Sequence, residues 1–141
     1  MQKENRSIPK EIIHVFIIKE EEELYRNELK DIVLQENIHI GVRGIAAQRN
    51  FIQQSFPNDT NIFCLDDDIK QLICQHSKVF YDFALMDFVD YAFQHCRYIG
   101  AYIWGVYPVN NVYFSKNRPE ISHDNSFIIG CFYGILLIVI V

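Results

Sequence analysis

The hydrophobic residues of this chain fall into short blocks separated by polar segments, and their spacing predicts alternating strands and helices. The run 12–18 is continuous and rich in β-branched residues, which is typical of a strand covered on both faces. The segment 20–34 predicts a helix whose acidic first turn complements the helix dipole. Its expected buried face consists of Leu24, Tyr25, Leu29, Ile32 and Val33.

Further strands and helices are predicted downstream. A strand at 38–42 precedes a helix at 44–56, and a strand at 61–65 precedes a helix that Asp82 can cap. Strand character resumes at 98–104. The helix after Asp82 has the clearest periodicity in the chain, so we expect its apolar positions to be core: Leu85, Phe88, Val89, Ala92, Phe93 and Cys96.

This alternation predicts an α/β fold with a mostly parallel sheet flanked by helices. The length of 141 residues suits one domain with a single core. The stretch 127–141 is nearly all apolar, yet it is shorter than the roughly 20 residues that a membrane-spanning helix needs. We therefore expect a buried strand there, with a tail anchor as the alternative, and no stable membrane association.

Charge and cysteine usage narrow the class of protein. The formal net charge of -5 excludes a generally basic surface for nucleic acid. The cysteines are far apart, form no CxxC pair and follow no signal peptide, so reduced, mostly buried thiols are expected in a cytoplasmic or nuclear protein. They are Cys64, Cys74, Cys96 and Cys131.

The candidate chemistry begins at Asp66, Asp67 and Asp68, directly after the strand predicted at 61–65. Adjacent carboxylates repel one another, and a divalent cation relieves that repulsion. Oxygen ligands select Mg²⁺, Mn²⁺ or Ca²⁺, and such ions keep coordination positions for phosphate oxygens. Because ligands of α/β sheets bind beyond the carboxyl ends of strands, this position favours a functional site. A solvated acidic turn is the alternative.

A second candidate is the glycine-containing segment 41–50, which leaves a strand and opens a helix. Backbone N–H groups and the helix dipole can meet an anion in such an arrangement. Arg43 and Arg49 could pair with phosphates, and Asn50 could contact a base or sugar edge. Ordinary solubilising arginines on an exposed helix face are the alternative, because the segment matches neither a GxGxxG nor a Walker loop.

Segments 44–50 and 62–68 together resemble the glycine, Ala-x-Arg-Asn and strand-plus-DxD sequence of nucleotide-sugar glycosyltransferases with the GT-A fold. More narrowly, residues 8–134 resemble the TET/JBP-associated glycosyltransferases of large DNA viruses, phages and some protists. The segments that carry this narrower resemblance are 15–17, 21–25, 42–44, 48–52, 65–69, 104–111 and 127–130.

The resemblance implies a GT-A-like, Rossmann-like domain that transfers a sugar from a nucleoside diphosphate sugar, with a UDP-sugar favoured, to an acceptor hydroxyl. A hydroxymethylated base in DNA is the acceptor that the family suggests. Mn²⁺ or Mg²⁺ would be held by Asp66 and Asp68 and would neutralise the departing diphosphate.

The resemblance also assigns roles to individual residues. The nucleotide-sugar side comprises Arg43, Arg49, Asn50, Asp66 and Asp67, and the acceptor side comprises Trp104, Tyr107 and Asn110. Core packing is the alternative for Trp104 and Tyr107. Asp124 is the candidate base that would deprotonate the acceptor if the reaction inverts.

The chain departs from the family pattern at both ends. Segment 7–10 resembles the approach to the family's second strand, and 135–141 replaces the sequence that usually completes the acceptor site. We therefore expect a single partial domain, with a family-like core at 8–134 and an apolar tail at 135–141. A noncatalytic remnant that keeps the fold or nucleotide binding is the alternative function. A small phosphotransfer or hydrolase domain is a third, although Ser115 and Lys116 lack the strand-end placement that it needs.

Overall fold

The computed structural model describes residues 8–66, 74–76, 79–81, 85–106, 121–123 and 132–137, with the backbone alone described at 74–76 and 79–81. The chain divides into two compact units, Met1–Asn58 (unit 1) and Asp59–Val141 (unit 2). The α/β class predicted from the sequence is confirmed. The elements are β1 (Val15–Ile17), α1 (Glu22–Glu28), β2 (Ile38–Ile40), α2 (Ile45–Gln54), β3 (Asn61–Leu65), β4 (Cys74–His76), β5 (Val79–Tyr81), α3 (Leu85–Ile99), β6 (Ile103–Gly105) and β7 (Phe132–Leu136).

Unit 1 contains a parallel pair of strands. β1 aligns with β2 so that Val15 is opposite Ile38 and Ile17 is opposite Ile40. The backbone N–H of Gly41 continues this pairing by donating to the carbonyl of Ile17 at 2.8 Å. Because α1 connects the two strands, the segment is a βαβ unit of the kind expected for parallel pairing.

The first helix is shorter than the sequence predicts. α1 ends at Glu28 rather than at residue 34, and turns follow in which the N–H of Val33 donates to the carbonyl of Leu29 at 2.9 Å. Val33 is buried, but Leu24 and Ile32 are exposed, so the predicted buried face is wrong at these two positions. Helical spacing in the sequence persists through the turns although the helix itself does not.

The core of unit 1 lies around the parallel pair. Arg26 ties α1 to the approach to β2, because its guanidinium donates to the carbonyls of Gln35 at 2.7 Å and Ile38 at 3.3 Å. The buried residues are Ile17, Val33 and Ile38, packed by Ile13, Val15, Tyr25, Leu29 and Ile40.

The larger sheet, in unit 2, is antiparallel and places β7 between β3 and β6. Leu136 is opposite Asn61, and Gly134 is opposite both Phe63 and Trp104. The strand expected within 127–141 is therefore confirmed at Phe132–Leu136. Among the described strands, parallel pairing is confined to β1 and β2, since β7 runs opposite to both of its neighbours. An apolar run does not reveal strand direction, which is why the sequence predicted a mostly parallel sheet.

The apolar stripe predicted after Asp82 is confirmed as core on α3. Packing of one face of a helix against a sheet buries the residues that recur at helical spacing. The buried cluster contains Val89, Phe93, Cys96, Trp104 and Phe132, and it is packed by Phe63, Leu85, Phe88, Ala92, Ala101, Val106 and Leu136.

A short antiparallel hairpin was not predicted. β4 and β5 pair so that Cys74 is opposite Tyr81 and His76 is opposite Val79. The sequence between them contains no Asn-Gly or Asp-Gly dipeptide that would indicate a tight hairpin turn. In the part of the chain described here, no helix has both the length and the apolar character to cross a membrane.

Candidate functional site

The carboxyl ends of β3 and β6 lie at the same end of the unit 2 sheet, one on each side of β7. Both strands run antiparallel to β7, which begins at Phe132. Leu65 is opposite Phe132, and the N–H of Val106 donates to the Phe132 carbonyl at 3.0 Å. Asp66 follows Leu65 and is exposed to solvent. Asp66, the first aspartate of the acidic triplet, and Val106 therefore lie at the same end of the sheet.

The carboxylate directly beyond β3 is that of Asp66. Across the described ranges, no group of three or more His, Cys, Asp or Glu side chains could hold a metal ion. Asp67 and Asp68 lie outside the described residues. An exposed carboxylate at a strand end is a suitable oxygen ligand for Mg²⁺ or Mn²⁺, but it is not a complete site. The metal site at Asp66 and Asp68 stays a prediction.

The loop 41–44 in unit 1 is organised by Gln48. This side chain reaches back from α2, and its Oε1 accepts a hydrogen bond from the N–H of Val42 at 2.7 Å. A β-carbon on Gly41 would overlap the Gln48 amide, so any other residue there would displace this flexible side chain from the loop. Gly44 has a φ of 95° and precedes the first residue of α2, a conformation that glycine adopts without steric cost. Glycine therefore fits these two positions for different reasons, close contact with Gln48 at Gly41 and a positive φ at Gly44.

The predicted phosphate-binding arginines occupy different surroundings. Arg43, in the loop, donates to the carboxylate of Glu20 at 2.8 Å, and both side chains are largely exposed. Arg49 is half-buried on α2, and Asn50 is exposed on the same helix. An ion pair in contact with water contributes little to stability, so Arg43 can leave Glu20 for an anionic ligand at small cost.

The electrostatics of this pair follow from its hydrogen bonds. The pKa of Glu20 is lowered first by a hydrogen bond from its own backbone N–H and then by the hydrogen bond and charge of Arg43. Each of these interactions favours the ionised carboxylate. Glu20 therefore competes for Arg43 as an anion, and a bound phosphate would have to replace it.

Trp104 is part of the core of unit 2. Its side chain is only 9% exposed, and its rings lie nearly perpendicular to those of Phe88 and Phe93, at centroid distances of 5.7 and 5.4 Å. Among the described residues, its Nε1 has no hydrogen-bond partner. Core packing, one of the two roles expected for this residue, is thus what the structure shows. A role on the acceptor side stays a prediction for Trp104.

The remaining predicted residues fall outside the described ranges. They are the second and third aspartates, the acceptor-side residues of the loop after β6, and the candidate base: Asp67, Asp68, Tyr107, Asn110 and Asp124. Their roles stay predictions. The nucleotide-side and metal-side groups also belong to different units, with Arg43, Arg49 and Asn50 in unit 1 and Asp66 in unit 2.

Sequence reasoning gave no role to three features that the structure reveals. Gln48 was part of a recognised segment, but a glutamine that braces its own loop has no distinctive sequence pattern. Two histidine pairs, His14 with His39 and His95 with His123, bring ring nitrogens to 2.9 Å from each other. The partners are far apart in sequence, so no spacing could have indicated them. Comparison of the chain with protein-family models, with curated proteins and with solved structures gives no significant match.

Proposed function

We propose that the chain is a metal-dependent glycosyltransferase domain that binds a nucleoside diphosphate sugar, most simply a UDP-sugar. The observation that carries the proposal is the strand-end position of Asp66, the first residue of the acidic triplet in the sequence. Asp66 is exposed directly beyond β3, at the end of the sheet where β6 also ends. An exposed carboxylate at the end of a strand can bind a cation without the cost of burying unpaired charge.

The braced loop of unit 1 provides separate support for nucleotide binding. Gln48 uses one backbone N–H of the loop, that of Val42, and Gly44 turns the chain into α2. The N–H groups of the first turn of α2 can donate to a phosphate, with the helix dipole favouring negative charge. Arg43 adds an exposed cation within the same loop. This combination favours an anionic ligand over a neutral one.

The metal ion would be Mn²⁺ or Mg²⁺, bound by Asp66 and Asp68, with Asp67 beside them. When bound, it would supply positive charge for the diphosphate that departs from the sugar. Arg43, Arg49 and Asn50 would bind and orient the nucleotide. Tyr107 and Asn110 would shape the acceptor side, and Asp124 would accept the acceptor proton. The acceptor we propose is the hydroxyl of a modified base in DNA. We also propose a GT-A-like arrangement of the domain.

The direct test is thermal unfolding with UDP, in the presence and absence of Mn²⁺. A ligand at about 100 times its Kd stabilises the folded state by about 2.7 kcal/mol, which raises the melting temperature by several degrees. We expect a Mn²⁺-dependent increase that Asp66→Asn and Asp68→Asn abolish. Asp90→Asn is the matched control, because it removes another exposed carboxylate of unit 2, on α3.

Catalysis requires its own measurement. Release of UDP from a UDP-sugar, with and without hydroxymethylated DNA, distinguishes an active transferase from a noncatalytic remnant. Nucleotide binding without turnover would favour the remnant. A melting temperature that does not respond to millimolar UDP and Mn²⁺ would exclude nucleotide binding, and with it the transferase, and would leave only a remnant that keeps the fold.

A further inference from the structure

His14 and His39 are joined edge to edge in unit 1. His14 Nδ1 lies 2.9 Å from His39 Nε2, and the two ring centres are 5.2 Å apart with an angle of 11° between the ring planes. The distance between the ring centres exceeds the distance between the nitrogens by about two ring radii, which is the largest difference that is possible. Both nitrogens must therefore lie on the line between the centres, in nearly coplanar rings. The contact is a linear hydrogen bond rather than a face-to-face stack.

This geometry favours a proton over a metal ion between the rings. A metal held by both imidazoles needs their lone pairs to converge on a point beside the N···N line. In His14 and His39 the two nitrogens face each other directly at hydrogen-bond distance. One nitrogen must carry a hydrogen and the other must accept it, because two protonated nitrogens would repel. The contact therefore depends on the number of protons that the pair holds.

Each ring of the half-buried pair contacts one phenylalanine. Phe56, just after α2, meets His14 edge-on at 5.0 Å, and Phe16 of β1 stacks on His39 at 4.8 Å. Within the described part of the chain, neither imidazole has a carboxylate partner. The pKa of His14 is lowered by burial and, secondarily, by the positive charge of His39. β1 and β2 carry no charged residue besides His39, and the charged residue of α2, Arg49, is a cation, which cannot raise the pKa of His14.

We propose that His14 and His39 form a proton-gated latch between the entry to β1 and β2. When both rings are neutral, or when the pair has taken up one additional proton, one ring nitrogen can still accept a hydrogen bond from the other. The N–H···N hydrogen bond then holds the segment before β1 against β2. A second additional proton binds to the nitrogen that accepts the hydrogen bond. Both rings are then positively charged beside phenylalanine rings, so the latch opens. The latch would make the stability of unit 1 fall in mildly acidic solution, whatever the chain binds.

The direction of the pH effect follows from the lowered pKa of His14. Above its ordinary value of 6.5, His14 is neutral in both the folded and the unfolded chain and contributes no pH dependence. As the pH falls below 6.5, the unfolded chain binds the proton first, so the folded state loses stability. The loss is complete once the pH is below the pKa of His14 in the folded state.

The test follows the two units separately in the full chain. Trp104, the single tryptophan, lies in unit 2, so its fluorescence during urea unfolding reports unit 2. NMR signals of the β1 and β2 amides report unit 1. Between about pH 7 and pH 5.5 we expect the unit 1 folding constant to fall by about threefold or more beyond that of His14→Gln. Trp104 fluorescence should show no such His14-dependent change.

A matched control comes from the second histidine pair. His95 and His123 have the same 2.9 Å nitrogen separation, but His123 is exposed, so water can solvate a second proton there. His95→Gln should leave the pH dependence of unit 1 unchanged. Imidazole NMR of the unaltered chain gives a result that needs no variant: the pKa of His14 should lie below its ordinary value. A pKa of His14 at or above that value, or an unchanged pH dependence in His14→Gln, would overturn the latch.

Discussion

Gly134 of β7 lies directly under the indole of Trp104, so closely that a β-carbon on Gly134 would overlap the Cε2 and Nε1 atoms of that ring. The two residues are opposite each other in the β6 and β7 register. Trp104 is enclosed by Phe88, Phe93 and Phe132, so it has no open space to move into. The indole of Trp104 therefore packs directly on the backbone of Gly134, where any side chain would occupy the same space.

We therefore expect Gly134→Ala to destabilise unit 2 by about 3 kcal/mol, at the upper end of the cost of overpacking a core. Urea unfolding followed by Trp104 fluorescence measures the loss. Gly100→Ala is the control, because Gly100 has open space around its α-carbon and only a φ of 71° to maintain. That change should cost about 1–2 kcal/mol.

A second variant separates steric overlap from any other effect of the alanine. In a Trp104→Leu background the indole is absent, so the additional cost of Gly134→Ala should shrink by about 1 kcal/mol or more. Because Trp104 is the single tryptophan, urea unfolding in this background is followed by circular dichroism. An equal cost in both backgrounds would mean that the indole is not what excludes the methyl group.

Gln48→Ala should destabilise unit 1 by about 1 kcal/mol, because the Val42 N–H loses the acceptor that Gln48 Oε1 provides at 2.7 Å. Amide hydrogen exchange should show faster exchange at Val42 itself. Gln54→Ala is the matched control, since it truncates an exposed glutamine at the end of the same helix. Protection of Val42 that survives in Gln48→Ala would contradict the bracing role of the glutamine.

Arg43→Gln should raise the pKa of Glu20, because it removes the hydrogen bond and charge of the guanidinium. The pKa should stay below the ordinary value, since the larger cause, the hydrogen bond from the Glu20 backbone, remains. Carboxylate NMR titration measures the shift. Arg26→Gln is the control: it should raise the pKa of Glu22, its own partner, and leave that of Glu20 unchanged.

The same Arg43→Gln variant tests the proposed function. Stability should hardly change, because the Arg43–Glu20 ion pair is exposed to water. UDP binding should weaken about tenfold, the effect of losing one charge-assisted hydrogen bond of about 1.4 kcal/mol. Equal UDP affinity with and without Arg43 would remove this residue from the nucleotide side.

Cys96 should resist alkylation in the folded chain. Burial raises the pKa of its thiol, although the charge of Arg97 opposes that shift, and only the thiolate reacts. Peptide mapping after brief treatment with iodoacetamide at neutral pH should show Cys96 unmodified, and modified fully in urea. Val89→Ala, which opens space in the same core cluster, should speed the reaction. Rapid labelling of native Cys96 would contradict its buried position.

The sequence predicted elements well where one side of an element faces a core. The α3 stripe from Leu85 to Cys96 is core, and β3 has the predicted bounds, since burial of one face imposes a period that can be counted. The end of α1 and the direction of β7 were not predictable in this way. Turns after Glu28 preserve helical spacing, and an apolar strand can pair in either direction.

The candidate site was predictable only in part. The glycines of the loop 41–44 and the strand-end position of Asp66 could be inferred from their neighbours in the sequence. The bracing by Gln48, the core position of Trp104 and the pairing of His14 with His39 depend on tertiary contacts. Such contacts join residues whose separation in the chain has no fixed value, so no local pattern encodes them.

The central position of β7 imposes an order on folding. β3 and β6 have no hydrogen bonds to each other and are joined only through a strand that comes later in the chain than either. During synthesis, Asp66 and Val106 cannot reach the same end of the sheet until residues 132–136 have been made. Contacts between distant parts of a chain form slowly, so unit 2 should be a late and slow-folding product of translation. Until β7 inserts, the β3 and β6 edges are open to pairing with other chains, and this nascent state is where aggregation would begin.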